Sequence, residues 1–85
     1  MMASFREKYQ NAAVWYEKVI LMEIYHLVQT QREKNWTISK TAEDFQVSTG
    51  LVSENLRIAR AIHTHERIIN CKSRQDALKL LEKLS

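Results

Sequence analysis

The sequence predicts one small all-α domain, and three observations carry that expectation. Proline is absent and glycine occurs once, at Gly50, so the turn chemistry of a β architecture is missing. Apolar residues recur at three- and four-residue steps through most of the chain, the period of a helix. Two short apolar-striped stretches are joined by only three residues, Gln46-Val47-Ser48, the spacing of a helix-turn-helix. The 85 residues suffice for a single core and one expected domain, 1–85.

Residues 5–34 hold no breaker and read as one long helix serving core or dimerisation, with a mid-segment kink also compatible. Phe5, Tyr9, Ala12, Tyr16, Val19, Ile20, Ile24, Leu27 and Val28 form its stripe. Trp15, Leu21, Met22 and Tyr25 fall off that stripe. A helix apolar on more than one side is either central in its own core or packed on a second chain. In the second case these four residues form a homodimer interface.

Asn35-Trp36-Thr37 interrupts the run, with Thr37 as N-cap and Trp36 folding back on the next helix. Ile38, Ala42 and Phe45 then make one buried stripe on a short helix, and Ala42 is small enough to admit a neighbour. Ser48 caps a third helix whose inner face is Val52, Leu56 and Ala59, with Leu51 and Ile62 beside it. The helix-turn-helix therefore spans 36–62. The segment 63–66 favours a bend. Residues 66–84 complete the domain: a turn carries Ile68 and Ile69, and Ser73-Arg74-Gln75-Asp76 caps an amphipathic helix with Ala77, Leu78, Leu80, Leu81 and Leu84.

Composition narrows the function classes. A single cysteine, Cys71, excludes an intrachain disulfide framework and suits a reducing compartment. Residues 1–8 are too charged for a signal-peptide core, and residues 12–28 are 13 of 17 apolar but carry Glu17, Lys18, Glu23 and His26, which a bilayer span excludes. The expectation is a cytoplasmic, nucleoid-associated protein with no membrane partner. His63, His65 and Cys71 fall short of a zinc set, and no third group orients a cysteine–histidine nucleophile. One glycine cannot build a phosphate-cradling loop. No enzyme activity, cofactor, metal or small-molecule substrate is expected.

The outward face of the third helix is the informative surface. Thr49, Gly50, Ser53, Glu54, Arg57 and Arg60 are short and polar near the N-terminus, then cationic. Small residues let a recognition helix sit deep in the major groove, and basic residues reach guanine edges or phosphates. Gly50 lowers helix propensity by about 1 kcal/mol against alanine; either it loosens the first turn or it permits close backbone approach to a partner. Lys40, Thr41 and the free amides opening the second helix would face the phosphate backbone.

Residues 37–57 (TISKTAEDFQVSTGLVSENLR) resemble the helix-turn-helix of ParB-type partition proteins and their KorB-like relatives. Residues 57–62 (RIARAI) and 71–81 (CKSRQDALKLL) are similar to the segments that follow it in that family, so the likeness covers roughly 36–84. It implies double-stranded-DNA binding, as in a small phage- or plasmid-type regulator or partition-like protein in a bacterial or phage-infected cell. The implied base-reading positions are Thr49, Gly50, Ser53, Glu54 and Arg57. Lys40, Thr41 and Ser48 fall on phosphate positions, and Arg60 on either. Three features depart from the family. Gln46 stands where a turn glycine is usual, and these 85 residues hold neither the arginine-rich nucleotide-binding motif nor a separate dimer domain. CTP hydrolysis and clamp behaviour are not implied.

The alternative is a protein-interaction or assembly module, such as a viral packaging subunit, on the same scaffold. Residues 36–70 carry four Arg/Lys against four Asp/Glu, which motivates it. Glu54 itself would accept from cytosine or pair with Arg57 or another neighbouring cation.

Overall fold

The computed structural model describes residues 2–84, with side chains described from Phe5 onward. Met1 and Ser85, the ends of the expected domain, lie outside the described residues. These form an all-α domain: α1 (Met2–Asn11), α2 (Trp15–Arg32), α3 (Ile38–Phe45), α4 (Thr49–Thr64), a 3-10 turn at Glu66–Asn70 and α5 (Arg74–Leu84).

The expected long first helix is two helices. The chain breaks at residues 12–14, where Val14 is extended with φ −118° and ψ 146°. No proline or glycine is involved; the reason is tertiary. In an unbroken helix Phe5 and Tyr25 would stand about 30 Å apart, at 1.5 Å per residue. Instead their rings lie 5.5 Å apart, and Tyr9 reaches Phe45 at 5.1 Å. Burying two aromatic rings outweighs the lost hydrogen bonds of one turn, each worth about 1 kcal/mol net.

The break also decides which side of α2 turns inward. Val19, Met22, Glu23 and Tyr25 are buried, whereas Ile24 and Leu27, both on the expected core stripe, are 41% and 50% exposed. Two apolar clusters share α2 and α4. One gathers Val19, Ile58, Ala59, Ile62 and Ile68 with Ala77 and Leu81 of α5. The other joins Met22 and Tyr25 to Ala42, Phe45, Val52 and Leu56, closed by Phe5, Tyr9 and Trp36. Between them lies Asn55, 1% exposed, whose Oδ1 accepts from Arg74 Nε at 2.6 Å and whose Nδ2 donates to Met22 Sδ at 3.4 Å. This buried polar group ties α5 to α4 and α2.

Candidate nucleic-acid interface

The turn between α3 and α4 is built from three caps. Thr37 Oγ1 accepts from the Lys40 amide at 3.3 Å and starts α3. Gln46 ends it in the left-handed region, φ 59° and ψ 46°, the conformation for which glycine is favoured. Its amide bonds the Glu43 carbonyl, and the Val47 amide bonds the Ala42 carbonyl at 3.0 Å, the reciprocal pair of a Schellman motif. The Gln46 side chain accepts from Arg6 of α1, which holds the strained residue from outside. Ser48 Oγ then accepts from the Leu51 amide at 3.1 Å and starts α4. Ala42 and Phe45 are buried against Val52 and Leu56, so the two helices close on a small residue as their spacing requires.

The inward face of α4 is Val52, Asn55, Leu56, Ile58, Ala59 and Ile62. Its opposite side therefore presents Thr49, Gly50, Ser53, Arg57 and Arg60, all exposed. Gly50 has ordinary helical geometry with no positive φ, and a Cβ built on it would meet only Ser48 Oγ, at 3.9 Å. Nothing inside the domain requires a glycine there. Glu54 is not a free acid on this face: Arg74 Nη2 holds its Oε1 at 2.6 Å. Its partner is thus a cation of α5 rather than Arg57.

Lys40 is exposed, with its ammonium 5.6 Å from the Trp36 ring centroid. Ser48 is exposed but committed to its cap. Thr41 is a correction. It is fully buried, accepts from Trp36 Nε1 at 2.8 Å and meets His26 Nδ1 at 2.7 Å, so no phosphate reaches its hydroxyl. Trp36 folds back on α3 as expected, through this hydrogen bond and an edge contact with Tyr25. Burial, helped by the charge of Arg60, holds the His26 imidazole below its ordinary pKa. The Thr41 hydroxyl thus links Trp36 Nε1 to His26 Nδ1 beneath the start of α3.

The interface expected from Trp15, Leu21, Met22 and Tyr25 is likewise not formed as a surface. Met22 is fully buried, and Tyr25 is 3% exposed with its hydroxyl donating to Asp44 Oδ2 at 2.5 Å. Burial, and then that hydrogen bond, push its phenol well above the ordinary range. Trp15 packs half-buried on the α5 cluster and donates from Nε1 to the Cys71 carbonyl at 2.8 Å. Only Leu21, half-buried, borders the outer side of α2. Sequence reasoning also missed Asn55 and Arg74, which set the charge beside the α4 face. The available signal was Asn55 itself, a polar residue at helical spacing between Val52 and Ala59.

His63 meets the buried Glu23 at 3.0 Å. Among the described residues no group of three or more His, Cys, Asp or Glu is placed to hold a metal, and no helix is long and apolar enough to cross a membrane. The fold and this surface define a compact all-α domain with a capped helix-turn-helix. Comparison with protein-family models, curated proteins and solved structures found no match.

Proposed function

We propose that the chain binds double-stranded DNA sequence-specifically, inserting α4 in the major groove. The observation that carries this reading is the outer face of α4. Thr49, Gly50, Ser53, Arg57 and Arg60 are exposed there, and the one carboxylate within α4, Glu54, is paired with Arg74. Short side chains followed by two arginines suit a groove that narrows to phosphates on either side. The likeness of residues 37–57 to ParB- and KorB-type helix-turn-helices supports the same reading, with a role as a small phage- or plasmid-type regulator or partition-like protein in the bacterial cytoplasm. Arg57 reads a base, Lys40 and Arg60 hold phosphates, and Glu54 buttresses α5.

The test is selection from a random duplex pool at several salt concentrations. Enrichment of a motif, with retention falling steeply as salt rises, is the expected result. No retention near about 50 mM salt, where phosphate contacts are strongest, refutes it. The near-neutral charge of residues 36–70 favours the second reading, an assembly module that grips protein. That reading predicts no salt-dependent DNA retention.

A further inference from the structure

Glu54 and Asn55 are neighbours on α4, and one side chain of α5 holds both. Arg74, the first residue of α5, donates from Nε to Asn55 Oδ1 and from Nη2 to Glu54 Oε1, each at 2.6 Å. The two bonds differ in kind. Asn55 is 1% exposed, so its bond is buried and fixes the plane of the guanidinium. The Glu54 side chain is 51% exposed, and an ion pair so open to water adds little to stability. Its consequence is electrostatic. Glu54 is the only carboxylate within α4, and it stands between the buried side, at Asn55 and Ile58, and the exposed side, at Ser53 and Arg57. Arg57 lies three residues on, the spacing at which a free glutamate and an arginine pair on a helix surface. With Nε pinned by Asn55, the rigid fork of Arg74 already aims Nη2, so drawing Glu54 toward α5 costs little further entropy.

We propose that Arg74 is a positioning residue for the DNA-reading surface: it holds Glu54 away from Arg57 and from the phosphates, and so leaves Arg57 free to read a base. The inference rests on the DNA-binding reading and adds to it a residue outside the helix-turn-helix. Without Arg74 the carboxylate has two courses, and both oppose binding. It pairs with Arg57 and occupies the donors that a guanine edge needs. Otherwise it stays unpaired on the face that meets a polyanion. One carboxylate about 6 Å from one phosphate, at an effective dielectric constant of about 40, lowers affinity about tenfold. Asn55 takes part at one remove, since its buried acceptor orients Arg74. In this way α5 governs the charge of a surface that α4 presents.

The experiment is a rescue series, read by fluorescence anisotropy on the duplex that the parent chain selects. Arg74→Gln keeps an amide donor for Asn55 but offers no charge to Glu54. It should bind about tenfold more weakly, with helicity by circular dichroism unchanged. Adding Glu54→Gln should return affinity to within about twofold of the parent. Adding Glu17→Gln instead, at an exposed carboxylate of α2, restores the same net charge of +3 and should not rescue. If Arg74→Gln does not fold, Arg74→Lys takes its place. Its single ammonium cannot hold Asn55 and Glu54 in one fork, and the same rescue by Glu54→Gln is expected. Arg74→Gln binding as tightly as the parent, no rescue by Glu54→Gln, or equal rescue by Glu17→Gln would each overturn the proposal and leave DNA binding standing. Weaker binding on Glu54→Gln in the parent background would make Glu54 a base reader and overturn it too. A parent chain that selects no duplex removes the DNA-binding reading and this proposal together.

Discussion

Gly50→Ala separates the two explanations for the chain's one glycine. The residue lies in the first turn of α4 without positive φ, and an added Cβ meets nothing closer than Ser48 Oγ at 3.9 Å. The free protein therefore gains helix propensity with no steric penalty, about 0.5–1 kcal/mol. For a domain this small that raises Tm by about 2–8 °C. In a DNA complex the same methyl points at the groove. Wedging a methyl into a close-packed contact costs about 1–3 kcal/mol, or about 5- to 150-fold in Kd. Thermal melting by circular dichroism gives the first quantity, and fluorescence anisotropy on the selected duplex gives the second. Opposite signs, a more stable protein that binds DNA less well, are expected. A higher Tm with unchanged affinity would refute close approach at Gly50 and move the helix N-terminus out of the groove. A lower Tm would refute the reasoning about its surroundings.

Arg57→Ala should weaken binding by about 1–3 kcal/mol and relax selection at one base position; equal loss on every sequence makes Arg57 a phosphate contact instead. Asn55→Ala, which removes the buried acceptor of Arg74, should cost about 2–4 kcal/mol in urea denaturation. Against it, Glu54→Ala, at a side chain 51% exposed, should cost less than about 1 kcal/mol. A reversed order of those two would show that the surface pair and not Asn55 anchors α5. His26 contributes a pH dependence. Its folded pKa lies below the unfolded value of about 6.5, so the unfolded chain binds the proton first. Stability from this group is full above pH about 6.5 and is lost as pH falls from there toward the folded pKa. Denaturation from pH 8 to 5 should show His26→Gln losing less stability on acidification than the parent, and parallel curves would contradict the assignment.

The helix-turn-helix was legible in the sequence because its determinants are local. Thr37 and Ser48 each cap a helix through an amide three residues on, and Ala42, Phe45, Val52 and Leu56 meet across a three-residue turn. The exposed line from Thr49 to Arg60 follows from the same period. The α5 cap is local too, Ser73 accepting from the Asp76 amide. What the sequence by itself did not determine depends on groups far apart along the chain. The break at residues 12–14 exists because Phe5 and Tyr9 bury against Tyr25 and Phe45. In a segment apolar nearly all round, periodicity offers two candidate faces and no means of ranking them. Only the position of α4 decides that Met22 and Tyr25 turn inward while Ile24 and Leu27 remain outside. The burial of Thr41 beneath Trp36 and the capture of Glu54 by Arg74 are likewise tertiary. Local hydrogen bonds act over three or four residues and leave their mark in sequence order. Burial is settled by whichever distant surface arrives, and that surface exists only once the helices have packed.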